Sequence, residues 1–393
     1  MESRLPHALD IDKSGWQRAR ERSVSSLRAY VLNNLAGDLR ADYEQHVKPT
    51  IDSDSADGVA VHKAMRPREA FRFYSSLRCT AQELVWNSVI DSINEQSDSL
   101  IEKASALAED ATRTAGTLEL DDSIEMPEYY QAVDVHLMPG NYDGSGNAAG
   151  ILPGAVYDNG FNVFAFGAMG KEHNDIGQSM SNFAKLKFPD LDPALIVDVG
   201  CTIGHNTLPW KETYPDAAVY GVDIAGACLQ YAHARARALG VEAHFRQASS
   251  DKLPFDDESA DVVFSSMFLH ELPIRHIAAF MKEAQRILKP GGLFINMELP
   301  PNAAVTPFDA FYLDWDSYYN NEPFYKNFRD QDYKELCVDA GFNPEQCYEA
   351  VMPRYGYVSE QQFADEIRGK NEFDEDTGRL SDTIRWYCFG ARK

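Results

Sequence analysis

The chain divides by the rhythm of its apolar positions. From Ser14 to Tyr43, residues Trp16, Leu27, Tyr30, Val31, Leu35 and Leu39 recur at largely three-to-four-residue spacing among Arg, Asp and Glu, which predicts amphipathic helix. The stretch IDSDSADG, Ile51 to Gly58, breaks it. A second helical segment starts after Pro67, runs through Phe71, Phe73, Tyr74, Leu77, Leu84, Val85, Val89 and Ile90, and reaches Ala111. The texture then changes. Thr117 to Gly154, with its MPGNYDGSGNAAGILPG run, is rich in the Gly, Asn, Asp and Pro that punctuate turns, and a loop of that size in a compact protein is usually functional or mobile. From Leu195 short apolar runs alternate with helical stretches, the sign of βαβ units around a parallel sheet. The predicted strands are Leu195 to Val199, Ala218 to Val222, Glu242 to Gln247, Ala260 to Ser265 and Gly292 to Met297. Helices are predicted at Ala225 to Leu239 and at His276 to Leu288, the latter stopped by Lys289, Pro290, Gly291 and Gly292. The expectation is an α/β, doubly wound domain over 191–393, which binds ligands at the carboxyl ends of its strands, preceded by a mainly helical domain (1–116) and a linker and substrate-cap segment (117–190).

Composition adds limits. With 44% hydrophobic and 25% charged residues over 393 positions, the chain is an ordinary globular one with no apolar run near the roughly 18 residues of a membrane span. Met1 to Asp12 has no apolar core of a secretory signal, so a cytoplasmic location is expected, without a membrane partner. A net charge of −24 argues against a grip on nucleic acid and suits a neutral or cationic small molecule. The six cysteines, at 79, 201, 228, 337, 347 and 388, lack CxxC spacing and read as reduced thiols, with no metal site expected.

The central chemical signal is LIVDVGCTIGHNT, residues 195–207: an apolar strand, an acidic residue, and two glycines four apart leading into a helix. Glycines there permit a tight turn and close approach of a ligand to the backbone. The second element, VYGVDI at 219–224, ends the next strand on a carboxylate that can accept both hydroxyls of a ribose. A nicotinamide site would want G-x-G-x-x-G, whereas Gly200 is followed by Cys201 and Thr202, and Asp198 would repel a diphosphate. A cationic sulfonium bearing an ammonium group is more comfortable there, so the electrostatics favour S-adenosylmethionine over NAD.

At this point the sequence resembles the class I S-adenosylmethionine-dependent methyltransferases over about Ala194 to Leu299. Four elements agree in order and spacing: DVGCTIG at 198–204, GVDI at 221–224, LPFDDESADVVFSS at 253–266 and RILKPGGLFI at 286–295. The resemblance implies a seven-stranded, mainly parallel Rossmann-like sheet whose last pair is Gln346 to Val351 and Trp386 to Ala391, with a lid insertion near 300–330. It further implies that Asp198, Gly200 and Gly204 surround the methionine part of the cofactor, with Cys201 in the same turn counted in the cofactor set, that Asp223 holds the ribose hydroxyls and that Ile224 lies against the adenine. Where many relatives have an acidic residue for the adenine amino group, this chain has Ser249, whose hydroxyl can still hydrogen-bond; Ser250 and Ser266 complete the cofactor set.

After the fourth strand comes SMFLHELP, residues 266–273, where His270 and Glu271 are similar to the His-Asp pair of small-molecule O-methyltransferases. An imidazole with a pKa near 6.5 can take the proton of a hydroxyl, a poor nucleophile without such help. The competing reading is that His270 caps or packs the next helix, and a thioether, carbanion or neutral amine acceptor would need no base. His7, His46, His62, His136, His173, His205, His233, His244 and His276 read as surface or packing residues. Substrate contacts are expected from Tyr157 to Asn182 and from Phe308 to Phe328, where aromatic rings interleave with carboxylates. The helical front end resembles in layout a dimerisation region, so a homodimer is a further expectation. The leading reading is methyl transfer to a small molecule, with an oxidoreductase or a non-catalytic cofactor-binding protein as alternatives.

Overall fold

The computed structural model describes residues 6–51, 57–110, 112, 116–144, 150–368, 373–374, 377–379 and 384–393. Ser14 opens the first helix, Gly15–Ala29, through a capping box with Gln17, which satisfies the otherwise orphaned N–H groups of the first turn. The chain then passes through π-helical turns at Tyr30–Leu35 and Tyr43–Val47 on either side of helix Ala36–Asp42. Each wider turn shifts the phase of the apolar stripe, so one long segment can bury different faces along its length. The break at Ile51 to Gly58 ends in an additional helix, Gly58–Met65, capped by Asp57; residues 52–56 of that break lie outside the described residues. The second helical segment is two helices, Glu69–Asn94 and Ser97–Glu109. Gln96 sits at the corner and explains it: its side chain accepts from the Asp12 N–H at 2.9 Å and donates to the Asp12 carbonyl at 2.7 Å, tying the corner to the start of the chain.

Eight strands form one sheet: β1 (Leu118–Glu119), β2 (Leu195–Val199), β3 (Ala218–Asp223), β4 (His244–Gln247), β5 (Ala260–Ser266), β6 (Leu288–Glu298), β7 (Cys347–Met352) and β8 (Trp386–Arg392). Their order is β1-β4-β3-β2-β5-β6-β8-β7, parallel except for β8, which runs antiparallel to both neighbours. The seven expected strands are all present, and the two-residue β1 is an addition on the edge beside β4. Strand β6 starts earlier than expected, at Leu288, and takes in the Lys289–Gly292 stretch anticipated as a turn; Leu288 pairs with Ala260 and the register slips before Val262 meets Leu293.

Helices cover both faces of the sheet. On one face Ile277, Phe280 and Met281 of helix Ile274–Ile287 pack with Val197, Phe294 and Phe389. On the other, Ile176 and Met180 of helix Asp175–Lys187 and Trp210 pack with Ile196, Val262 and Ile295. Helix Leu152–Phe164 joins this sandwich to the N-terminal helices through two side-chain-free notches. A Cβ on Gly154 would lie 2.3 Å from Tyr231, and one on Gly160 would lie 2.4 Å from the Trp86 ring. Trp86 belongs to helix Glu69–Asn94 and Tyr231 to helix Gly226–Leu239, so glycine at both positions lets this helix seat between the two. A second apolar cluster joins Val31, Leu35 and Tyr74 to Phe308, Phe311 and Tyr312 of helix Pro307–Tyr319. Among the described residues, no helix is long and apolar enough to cross a membrane.

The Gly160 notch has a measurable consequence. Gly160→Val forces side-chain carbon into the space held by the Trp86 ring, and urea denaturation should show a loss of about 3 kcal/mol, at the upper end of overpacking costs. An unchanged midpoint would contradict the packing described.

Candidate functional site

The turn after β2 is built around backbone conformations that side chains resist. Gly200 and Gly204 have φ of 79° and 72°, and Thr202 itself sits at 50°. A Cβ on Gly200 would fall 2.3 Å from the Phe268 ring, so this glycine lets the loop after β5 close directly onto the turn. The Gly200 N–H donates to the Val222 carbonyl at 2.8 Å, locking the turn to β3. At the end of β3, Asp223 accepts the Thr202 N–H at 2.8 Å on Oδ2 and the Ala225 N–H at 2.9 Å on Oδ1. Two backbone donors therefore aim a carboxylate whose pKa burial pushes up to about 6.

A cavity of about 520 Å³ opens at the carboxyl ends of the strands. Of the residues expected at the site, Gly200, Cys201, Asp223, Ile224, Ser249, Ser250, Ser266, His270 and Glu271 line it. Asp198 and Gly204 lie beneath this lining. Asp198 is fully buried, accepts from the Thr207 hydroxyl at 2.6 Å and leaves its Oδ1 without a partner; burial pushes its carboxyl up to about 8. Gly204 packs instead under Phe245. Of the two aspartates of β2 and β3, Asp223 is the one that lines the cavity. A polarised carboxylate, two serine hydroxyls and the flat flank of Ile224 suit the hydroxyls and base of a nucleoside, so the residues present fit an adenosyl cofactor. Among the described residues no cluster of His, Cys, Asp and Glu could hold a metal ion.

His270 stands on a short 3₁₀ turn, Leu269–Glu271, directly after β5. Its partner is not the neighbouring Glu271 but Glu298, at the end of β6: His270 Nδ1 and Glu298 Oε2 are 2.6 Å apart, and both residues are buried. Glu298 Oε1 accepts the N–H groups of Phe268 at 2.9 Å and Leu269 at 2.7 Å, so one carboxylate holds both the ring and the loop that carries it. The ring stacks on Tyr325 at 3.9 Å between centroids. Burial disfavours the imidazolium, but the carboxylates of Glu298, Glu322 and Glu271 together outweigh burial and the pKa is raised above the usual histidine value.

Glu271 is engaged elsewhere. It accepts from the Tyr142 hydroxyl at 2.7 Å and lies 3.4 Å from His136 Nε2, while His136 Nδ1 lies 2.8 Å from Glu322. Burial works against both charges in this group, yet the two glutamates raise His136 to about 9 and the imidazolium in turn lowers Glu271. His136 was expected to be a surface or packing residue; it lines the cavity instead, held at φ 59° with its carbonyl accepting from Gln82 and Trp86 at 2.7 Å each. It lies in a turn-rich stretch with no motif, so only the acidic residues around it in space reveal its role. His205 also lines the cavity, packed between Tyr157 and Phe161, where burial lowers its pKa to about 3. Glu298 was the more legible omission: an acidic residue closing the apolar run GGLFINME.

Three further segments contribute much of the remaining lining. Tyr157, Phe161, Phe164 and Met169 come from the stretch expected to touch substrate, and Tyr312, Asp316 and Tyr325 from the expected lid. Arg28, Leu32 and Arg40 come from the N-terminal helices, which therefore wall the cavity as well as support it.

Residues 196–292 match the family model described as a methyltransferase domain. Over 121 residues the chain is 32% identical to the phthiotriol/phenolphthiotriol dimycocerosates methyltransferase of Mycobacterium tuberculosis, a match covering 31% of this chain and 43% of that protein. Over 130 residues it is 34% identical to the demethylmenaquinone methyltransferase of Thermus thermophilus, covering 32% of this chain and 55% of that one. The chain thus spans about half the length of the curated relatives it matches. Among solved structures it is similar to a candidate O-methyltransferase from Nostoc punctiforme, at 12% identity over 96% of both chains with a TM-score of 0.44. It is also similar to geranyl diphosphate methyltransferase in complex with S-adenosylmethionine, at 15% identity over 64% of this chain and 92% of that one with a TM-score of 0.38. The glycine turn closed by Phe268, the Asp223 carboxylate at the end of β3 and the match across 196–292 together identify a methyltransferase domain of the class I, S-adenosylmethionine-dependent kind within this chain.

Proposed function

We propose that the protein transfers the methyl group of S-adenosylmethionine to a hydroxyl oxygen of a small molecule, with His270 as the base. The observation that carries this reading is the 2.6 Å contact between His270 Nδ1 and the buried Glu298, in a ring that lines the same cavity as Asp223. The bound cofactor supplies an electrophilic methyl on a sulfonium. Asp223 accepts the ribose hydroxyls, with Ser249, Ser250 and Ile224 on the base, and the Gly200 turn sets the depth of the pocket. Glu298 fixes the tautomer of His270, with the proton on Nδ1 and the lone pair on Nε2, and stabilises the imidazolium that forms when Nε2 takes the hydroxyl proton. Residues 1–116 serve as a cap, residues 300–330 as a lid, and the aromatic walls exclude water that would compete as acceptor. The homodimer remains part of the proposal, supported by Trp16, Tyr30 and Phe73 on the N-terminal helices, which are 75%, 50% and 59% exposed.

His270→Ala should lower turnover by roughly a hundredfold or more with cofactor affinity nearly intact, since general base catalysis contributes about 10²–10⁴. Near wild-type turnover would favour transfer to an acceptor that needs no base. The base acts in its neutral form, so turnover should rise with pH through the raised pKa of His270; Glu298→Gln removes the largest of the charges that raise it and should move that limb to lower pH while cutting turnover. A limb that does not move would remove His270 from proton transfer.

Asp223→Ala should weaken cofactor binding by about 1–3 kcal/mol, the loss for an unpaired polar group. Hydroxyls donated to Asp223 favour its ionised form, so near pH 6 binding should release protons, seen as a heat of binding that varies with the ionisation enthalpy of the buffer. A buffer-independent heat at that pH, or an unchanged affinity in the variant, would count against the ribose assignment. Light scattering should give twice the chain mass, and a monomer at micromolar concentration would remove the dimer.

A further inference from the structure

Part of the cavity wall carries a surplus of guanidinium groups that runs against the net charge of the chain. Arg28, on the first helix, is 1% exposed and lines the cavity with its Cζ 3.9 Å above the Phe164 ring. Its Nε donates to the Phe164 carbonyl at 2.6 Å and its Nη1 to Gln82 Oε1 at 2.5 Å, both neutral acceptors. Among the described residues, no carboxylate stands within ion-pair distance of it. Asp316, the carboxylate whose field reaches Arg28, is already committed to Arg78 through two guanidinium nitrogens. The next pair along the wall repeats the imbalance: Asp309 bonds Arg40 and lies 3.8 Å from Arg379, whose guanidinium covers the Tyr312 ring at 4.5 Å. Among the described residues, four guanidinium groups thus share two carboxylates, and Arg28, Arg40 and Arg379 all face the cavity, in a chain whose net charge is −24.

A buried cation without a counter-charge is costly, because desolvation is not repaid by pairing. Burial and the adjacent Arg78 both act against the charge on Arg28, and Asp316 only partly opposes them. Arginine nonetheless keeps its proton, so among the described residues its charge lacks a carboxylate partner, and an anionic ligand can supply one. A carboxylate suits that role, since it can take two parallel N–H donors of a guanidinium fork in a charge-assisted pair.

We propose that the methyl acceptor carries a carboxylate, and that Arg28, with Arg379, which lines the same cavity and acts on the same Asp316, binds this group. The proposal names the substrate class for the methyl transfer proposed above, and rests on that reading for its link to His270. It also corrects the inference from net charge that a neutral or cationic ligand is favoured: the local surplus of guanidinium, not the sum over the chain, sets the ligand at this wall.

The test compares matched ligands that differ only in charge. Calorimetry on the full chain, saturated with the demethylated cofactor product, should show 4-hydroxybenzoate and 3-(4-hydroxyphenyl)propanoate binding roughly tenfold or more tighter than their primary amides, the worth of a charge-assisted hydrogen bond. In Arg28→Gln this advantage should fall to about threefold or less with affinity for the cofactor product unchanged, and in Asp316→Asn it should grow. Equal binding of acids and amides by the native protein, no binding of either acid, or an undiminished advantage in Arg28→Gln would overturn the proposal. If Arg28→Gln does not fold, the same comparison is read in Arg379→Gln, whose side chain is less buried. The measurement reads binding alone: loss of cofactor binding by the native protein would sink methyl transfer, while the acid and amide pairs, titrated without cofactor product, would still report on the guanidinium wall.

Discussion

The site depends on one buried carboxylate. Glu298 ends β6 at 1% exposure and receives three hydrogen bonds, from the N–H groups of Phe268 and Leu269 and from the His270 ring. An unpaired carboxylate at that depth would be prohibitive; with three donors its desolvation is offset and its position becomes fixed. Because β6 lies between β5 and β8 in the sheet, the loop after β5 inherits the rigidity of the sheet itself. The same loop carries Phe268 onto Gly200. One interaction therefore sets both the orientation of the candidate base and the roof of the cofactor turn.

Around this centre the chain spends its charge unevenly. Near His270, acidic groups dominate: Glu271, Glu298 and Glu322 flank two histidines, and both histidines have raised pKa values because of them. Toward the N-terminal helices guanidinium groups dominate. The two regions are joined through Gln82, which accepts from Arg28 on its amide oxygen and donates to the His136 carbonyl on its amide nitrogen. The helical front end thus takes part in the electrostatics of the cavity, and the notches at Gly154 and Gly160 are what allow it to sit close enough to do so.

Much of this could be read from residue order, and the parts that could not have physical causes. Strands β2, β3 and β5 fall where alternation of apolar runs predicts them, because buried parallel strands leave few choices of residue. His270 was visible as a polar residue after an apolar strand. Its partner was not: Glu271 is adjacent in sequence, but on a 3₁₀ turn successive side chains point about a third of a turn apart, so the two cannot face one another. Glu298 lies 28 positions away and reaches His270 only because β5 and β6 are neighbours. His136 was hidden for a different reason. Its left-handed backbone and its glutamate partners are tertiary facts, and a turn-rich stretch gives no period from which to infer them. The two-residue β1 and the helix Gly58–Met65 are too short to impose a pattern of their own.

On the proposed function, one cavity has to bring the cofactor's methyl, an acceptor oxygen and the His270 Nε2 into line. A crystal structure with the demethylated cofactor product and a bound acceptor measures this directly. An acceptor oxygen should lie within hydrogen-bond reach of Nε2, about 2.6–3.2 Å, and face the cofactor sulfur. An acceptor presenting sulfur, nitrogen or carbon to the cofactor, or a His270 ring whose Nε2 is sealed against protein, would contradict it.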